Sequence, residues 1–343
     1  MTSVVYESPG RPLVVREREM PGLGPGDVLL RVDLCGVCAS DLLAITGVVT
    51  DYSPPVVLGH EIAAEVVESR HLGVAVGSRV TVDPMISCGS CVYCRRGEHK
   101  YCGELYGIGH DVDGGFADHM VVPKALVDGN GLLEADRAIA SESLMFVEPL
   151  GCVVAAMGET PLGDSIAILG AGSIGLMFAQ VALAKGLDVF VVEPLEHRRH
   201  AAERFGVAVT VAPGESGIAE VEDATDGGVD TVVVATDSEA AIAQAFSLVR
   251  RGGAINFFGL APKGRELAVE LEQLHYQGQK LLASWAFSKS SLREAQDLIL
   301  QDKIDVASLL TDRFPLAEAN EAIEHAKAHR GIKTAFDPSM ARC

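Results

Sequence analysis

Ser165-Ile-Ala-Ile-Leu-Gly170-Ala-Gly172-Ser-Ile-Gly175 is the stretch that decides how this chain folds. An apolar run over Ser165–Leu169 reads as a buried strand, and it enters a glycine-rich turn that opens a helical pattern over Ser173–Lys185. In that context each glycine has a separate task. Gly170 permits the tight turn, Gly172 lets the backbone approach a pyrophosphate, and Gly175 lets the helix pack closely on the strand. The first helical residues, Ser173 and Ile174, sit where unpaired N–H groups and the positive end of the helix dipole meet phosphate. The bland alternative is an ordinary strand–turn–helix whose glycines serve packing alone.

Working outward, the next strand, Val189–Val192, ends at Glu193, eighteen residues beyond Gly175. A carboxylate there grips ribose hydroxyls and repels a 2′-phosphate, so NAD is favoured over NADP. His197, Arg198, Arg199 and His200 follow on a helix over Pro194–Phe205 and soften that preference; Arg198 is the cofactor candidate among them. Strands over Val229–Ala235 and Ala254–Phe258, with a helix over Glu239–Val249 between them, continue the alternation. Such alternation predicts an α/β domain over residues 153–287 with a doubly wound parallel sheet. Residues 1–152 have another texture, short apolar runs such as Asp27–Val32 and Ile62–Val67 broken by Gly and Pro, which predicts an irregular strand-rich domain. Helices over Ser291–Gln301 and Leu316–Ala328 and an extended piece over Lys333–Phe336 place residues 288–343 back with that first domain.

The chain has 343 residues, suiting two domains, and is 48% hydrophobic and 22% charged, as globular proteins are. Its formal charge of −19 repels nucleic acid and anionic membrane surfaces and leaves small neutral substrates open. The first ten residues lack a basic start and apolar core, and no run approaches the roughly 18 apolar residues of a membrane span. A cytoplasmic location is therefore expected. In that reducing compartment clustered thiols bind metal more often than they form disulfides.

Cys88-x₂-Cys91-x₂-Cys94-x₇-Cys102, in a lobe over residues 86–104, is the sharpest motif among the eight cysteines. Four thiolates on one short loop close a tetrahedral shell around Zn²⁺ and leave no open position, which suits a structural ion. An iron–sulfur cluster takes the same ligands, and disulfides are the ordinary rival.

A second set of metal-binding residue types is dispersed. Cys35-Gly-Val-Cys38-Ala-Ser40-Asp41 offers a thiol, Gly59-His60-Glu61 an imidazole and a carboxylate, and Glu148-Pro-Leu-Gly-Cys152 another carboxylate. One Cys, one His and one Glu are three ligands, leaving a fourth position for water or substrate. Each segment also has a plain reading: a core cysteine, a satisfied loop histidine, a Glu-Pro helix start.

Taken together, in order, these residues resemble the zinc-containing medium-chain dehydrogenases, which include alcohol, sorbitol, threonine and cyclitol dehydrogenases. The resemblance runs through Gly36-Val-Cys38-x-Ser-Asp41, Gly59-His60-Glu61, the cysteine lobe, Gly114-Gly-Phe-Ala117, Val147-Glu148-Pro-Leu150, the glycine turn, Arg251-Gly-Gly253 and Gly331-Ile-Lys333. It implies a GroES-like catalytic domain beside a Rossmann domain, and two zinc ions per chain, one catalytic and one structural. It implies that Cys38, His60 and Glu148 hold the catalytic zinc, with Glu61 as a candidate ligand that replaces its neighbour in polyol-type relatives. It also implies that Asp41 orients His60, that Ser40 passes on the substrate's hydroxyl proton, and that Cys35 and Cys343 are structural. The expected reaction is hydride transfer between a secondary alcohol, of a polyol, sugar or aminocyclitol, and NAD. The alternatives are a threonine-type or simple alcohol substrate, or a non-catalytic descendant. A homodimer or homotetramer is expected. Leu43 stands where many relatives carry a proton-relay histidine, so the proton needs another route.

Overall fold

The computed structural model describes residues 1–259 and 263–340, so Cys343 lies outside the described residues. The chain divides into two compact units, Met1–Gly151 with Phe287–Cys343, and Cys152–Ala286.

The first unit is built on a seven-stranded sheet. Leu132–Glu134, Arg79–Val82, Glu61–Ser69, Val28–Gly36, Lys333–Phe336 and Leu310–Phe314 lie in that order, and His119–Val122 also pairs with Val28–Gly36. Val28–Gly36 and Glu61–Ser69 are antiparallel, with Gly36 opposite Glu61 and Cys35 opposite Ile62. On its other side Val28–Gly36 meets the C-terminal strand, Gly36 opposite Ala335. The two ends of the chain's first unit are therefore stitched into one sheet beside the same glycine. Leu30, Val66, Leu58, Phe116 and Phe336 are fully buried in its core, each worth about 1.5–3 kcal/mol of burial.

Helical residues Ser141–Glu159 are apolar enough to cross a membrane by length and composition, but 67% of their most apolar window is buried, as in a core helix. Glu148 sits at the start of the Val147–Glu159 helix, where a carboxylate favours the positive end of the dipole.

The second unit holds six strands, all parallel, in the order Val209–Val211, Asp188–Val192, Ser165–Leu169, Val229–Val234, Val249–Phe257 and Lys280–Ala283. The central strands are buried along almost their whole length. That explains why they read as continuous apolar runs and not as alternating ones. The strand order reverses between Ser165–Leu169 and Val229–Val234, which puts the glycine turn at a topological switch point.

Candidate functional site

The four cysteines are drawn together by tight local geometry. Cys91 caps the short helix Val92–Arg95, and its sulfur accepts the Cys94 N–H at 3.4 Å. The Cys88 sulfur accepts from the Cys91 N–H, and the Cys102 sulfur from the Cys88 N–H, each at 3.4 Å. Backbone N–H groups of Ser90 and Cys91 aimed at its sulfur draw the Cys88 thiol down to about 6. All four sulfurs lie within 4.8 Å of one another, and among the described residues this is the set of three or more metal-binding side chains gathered that closely. Tetrahedral Zn–S bonds of about 2.3 Å separate sulfurs by about 3.8 Å. The separations of 3.9 Å between Cys88 and Cys94 and 3.5 Å between Cys91 and Cys94 fit that demand. None of the seven described cysteines forms a disulfide.

Of the dispersed set, Cys38 and His60 sit at strand ends and Glu148 at the start of a helix. Cys38 follows the strand Val28–Gly36 and is the N-cap of the helix Ala39–Thr46. Ser40 and Asp41 are the second and third residues of that helix. Asp41 reaches back, its Oδ2 accepting the Cys38 N–H at 2.9 Å, which fixes the turn carrying the thiol. Its other oxygen, Oδ1, is buried without a hydrogen-bond partner and lies 3.8 Å from His60 Nδ1. Asp41 is fully buried, and that burial raises its carboxyl pKa against the opposing pull of His60.

His60 ends the loop before the strand Glu61–Ser69, with its side chain 16% exposed. Burial disfavours its charged form, but the negative Cys38, Asp41 and Glu148 groups outweigh burial and hold the imidazole well above its usual range. An unpartnered carboxylate oxygen behind Nδ1 is the kind of neighbour that orients a metal-binding imidazole. Cys38, His60 and Glu148, the last 7% exposed, are of the donor types that suit zinc.

Glu61 has a cationic partner of its own. Its Oε2 forms an ion pair with Lys333 of the C-terminal strand, both side chains deeply buried. Lys333 was not legible as a site residue. The clue available was its place in the Gly331-Ile-Lys333 motif, at the head of the extended piece Lys333–Phe336. Cys35 is fully buried, which pushes its thiol well above the ordinary range, and it behaves as core. Cys152 lies one turn beyond Glu148 on the same helix.

Tyr52 is a second residue that sequence reasoning missed. Its ring packs tilted against His110, with centroids 4.1 Å apart, and edge-on to Tyr6. Burial, followed by the nearby Asp41 charge, raises the pKa of its hydroxyl, so it stays a neutral phenol.

In the second unit the glycine turn has the conformation the sequence demanded. Gly170 has a φ of 100°, and a Cβ on Gly175 would overlap the Gly170 carbonyl oxygen. A Cβ on Gly172, by contrast, would meet only the Arg198 guanidinium, at 3.7 Å, so the turn keeps one open side for a pyrophosphate. Gly172 is the N-cap of the helix Ser173–Ala184, whose first N–H groups at Ser173 and Ile174 carry no side-chain cap. Glu193 follows the strand Asp188–Val192; its Oε2 accepts the Ala171 N–H at 2.6 Å and its Oε1 the Leu195 N–H at 3.0 Å. Arg198 is drawn electrostatically to Glu193, while burial lowers its pKa.

Comparison with known proteins gives the same picture. Residues 24–128 match the alcohol dehydrogenase GroES-like domain, and residues 173–301 match the zinc-binding dehydrogenase family. The chain is 35% identical to L-threonine 3-dehydrogenase of Pyrococcus furiosus, with 98% of each chain covered. It is 30% identical to L-galactonate-5-dehydrogenase of Escherichia coli, with 94% of each covered. Among solved structures, a zinc-binding dehydrogenase of Sinorhizobium meliloti bound to NADP superposes with a TM-score of 0.90 at 31% identity, covering 98% of this chain and 99% of that one. Near-complete coverage at this identity, on a fold whose metal and dinucleotide motifs fall in the same order, settles the kinship: the chain belongs to the zinc-containing medium-chain dehydrogenases, enzymes acting on CH–OH donors.

Proposed function

We propose that this enzyme interconverts a secondary alcohol and its ketone, on a substrate whose carbinol is flanked by further hydroxyl, amino or carboxyl groups. Polyols, sugar acids and aminocyclitols have that character. The support for it is chemical: threonine and galactonate, named in two relatives, both present a secondary alcohol beside polar substituents. A threonine-type substrate is a second reading, favoured by the 35% identity to the Pyrococcus enzyme.

Cys38, His60 and Glu148 would hold the catalytic zinc, and Cys88, Cys91, Cys94 and Cys102 a structural one. The catalytic ion supplies Lewis-acid polarisation of the substrate oxygen. The protein's own groups do the rest. Asp41 Oδ1, already near His60 Nδ1, fixes the imidazole's orientation and tautomer. Glu61, paired with Lys333, would leave the substrate oxygen free to reach the ion. Ser40 takes the hydroxyl proton. The turn at Gly170, Gly172 and Gly175, with Ser173 and Ile174, holds the pyrophosphate of the nicotinamide cofactor that receives the hydride. Glu193 faces the adenosine ribose with Arg198 beside it, so NAD is preferred.

The observation that carries this reading is the buried Asp41 carboxylate, which caps the turn carrying Cys38 with one oxygen and leaves the other without a hydrogen-bond partner 3.8 Å from His60 Nδ1. The test is a turnover screen with NAD and NADP, followed by nicotinamide absorbance, over L-threonine, L-galactonate, sorbitol, inositols, aminocyclitols and simple secondary alcohols. Turnover on a polar-flanked alcohol that Cys38→Ser abolishes is the expected result. Turnover surviving that substitution, or confined to simple alcohols, overturns it.

A further inference from the structure

His110 lies on the loop between the strands Tyr106–Gly107 and His119–Val122. That loop is pinned to the residue before His60. The Gly115 N–H donates to the Gly59 carbonyl at 2.8 Å, and the Gly114 N–H to the Val57 carbonyl at 2.7 Å. A Cβ on Gly109 would come within 2.8 Å of the Gly59 carbonyl oxygen, so the two backbones touch there. His110 therefore starts from a point fixed against the turn that carries His60. Its ring is fixed as well. It packs on Tyr52, with centroids 4.1 Å apart, and the Ser53 N–H donates to its carbonyl at 3.1 Å. Tyr52 meets Tyr6 edge-on, and the Tyr6 hydroxyl donates at 3.0 Å to the Ala44 carbonyl, on the helix that carries Ser40 and Asp41. On the other side His110 Nδ1 lies 2.9 Å from Asp111 Oδ2. Asp111 also accepts from the Ser53 hydroxyl at 2.8 Å and from the Gly107 N–H at 3.0 Å. Burial pushes the Asp111 carboxyl up, but these three hydrogen bonds outweigh it and hold it below its usual range. An ionised carboxylate only accepts, so the shared proton belongs to Nδ1, and Nε2 of the neutral ring is left as an acceptor. Nε2 has no hydrogen-bond partner among the described residues, and the side chain is 35% exposed. Orientation and tautomer are both set in advance, and the one nitrogen left over is open to a donor from outside.

We propose that His110 is a specificity-determining residue, whose Nε2 accepts a hydrogen bond from a hydroxyl or ammonium group flanking the substrate's carbinol. The proposal rests on the reading of the substrate as a polar-flanked secondary alcohol, and it narrows that reading. A flanking group that donates is favoured; a flanking carboxylate, which only accepts, gains nothing from this nitrogen. Vicinal diols and vicinal amino alcohols meet the requirement, and alcohols with a bare hydrocarbon neighbour do not.

The experiment uses full-length zinc-replete protein, the panel alcohol with the highest turnover, and its analogue lacking the flanking donor, such as L-threonine against 3-hydroxybutyrate or 2,3-butanediol against 2-butanol. The parent should prefer the member that carries the donor. His110→Asn keeps an amide near the position of Nδ1 for Asp111 and has nothing at Nε2. It is expected to lower the preference, as a ratio of kcat/KM values, about three- to tenfold, the worth of one hydrogen bond. His110→Gln, whose longer side chain brings an amide oxygen to the reach of Nε2, should regain part of the ratio. His110→Phe keeps a ring against Tyr52 and should lose the ratio as His110→Asn does, so the question is decided even if one variant fails to fold. Zinc content and the NAD dissociation constant check that each variant is intact. A preference unchanged in His110→Asn and His110→Phe, or equal losses on both members of the pair, overturns the proposal alone. A parent with no preference for the donor-bearing alcohol overturns it together with the substrate reading beneath it, so the two failures are told apart.

Discussion

Lys333 and Glu61 form an ion pair almost wholly shielded from water, their side chains 5% and 1% exposed. Gly36 lies between them in the sheet, opposite Glu61 on one strand and Ala335 on the other. A Cβ at Gly36 would stand 2.9 Å from Lys333 Cε and overlap the Glu61 carboxylate. The absence of a side chain there is what lets a lysine from the end of the chain reach a carboxylate beside His60. Lys333 thereby cancels one negative charge next to the proposed zinc ligands.

Removing that cation strands a buried carboxylate, a loss of about 3–5 kcal/mol. Lys333→Met is therefore expected to destabilise zinc-free protein by about that amount, measured by urea unfolding in EDTA. Added zinc should recover part of the loss, because Glu61 then has a cation within reach. The double variant Lys333→Met/Glu61→Leu should regain most of the stability, since no buried charge is left unpaired. Equal stability of parent and Lys333→Met in EDTA would show that the pair contributes nothing.

Metal analysis separates the two zinc sites. The parent should hold about two zinc per chain. Cys38→Ser should lose the reactive ion and keep the fold. Cys94→Ser should lose the structural one and destabilise the lobe over residues 86–104. Asp41→Ala should weaken zinc at the reactive site about 10- to 100-fold, the usual cost of losing the acceptor behind a metal-binding imidazole. It should also remove the Cys38 N–H cap, worth about 1 kcal/mol. One zinc per chain in the parent, unaffected by Cys38→Ser, would contradict the assignment of a reactive site.

Asp83 gives a pH dependence of defined sign. It is 2% exposed, and burial raises its pKa from 3.8 to about 6, partly opposed by the Met85 N–H and by Lys289. The folded protein thus keeps this proton up to about pH 6, while the unfolded chain releases it near 3.8. Between those values the folded state binds more protons, so stability falls as pH rises through the window and stays lowered above it. Asp83→Asn retains an acceptor for Met85 and is expected to stabilise the protein at neutral pH by up to about 3 kcal/mol. The gain should vanish near pH ~4. Denaturant midpoints measured at both pH values check this; an equal gain at both would mean that Asp83 does not titrate as described.

Legibility in the sequence tracked how local each feature is. Ser165–Leu169 and Lys333–Phe336 are strands over the residues their apolar runs mark out. Val28–Gly36 extends past the apolar run Asp27–Val32, since burial continues through Leu34 and Cys35 beyond the half-buried Asp33. The edge strands Val209–Val211 and Lys280–Ala283 left no periodic trace, because three or four residues cannot display one and only pairing with a neighbour makes them strands. The proposed donors Cys38, His60 and Glu148 could be named by residue type and resemblance. Lys333 and Tyr52 could not, because what they do depends on partners far away in the chain or on a neighbouring loop. A lysine in a strand and a tyrosine in a loop have many ordinary uses.

Glu193 is where the cofactor preference can be tested without disturbing the reactive site. Its carboxylate is bound to the glycine turn through Ala171 and to the following loop through Leu195. It is also 3% exposed, so its charge is little screened. A 2′-phosphate brought beside it meets a fixed negative group, with Arg198 offering partial relief. Glu193→Ser should lower the NAD-to-NADP ratio of kcat/KM by about tenfold or more, through the lost repulsion. It should also lower stability by about 1 kcal/mol through the lost turn contact. Arg198→Ala should move the ratio the other way, because it removes the nearby cation and leaves the carboxylate. A ratio unmoved by Glu193→Ser would mean that the carboxylate only pins the turn and that something else chooses the cofactor.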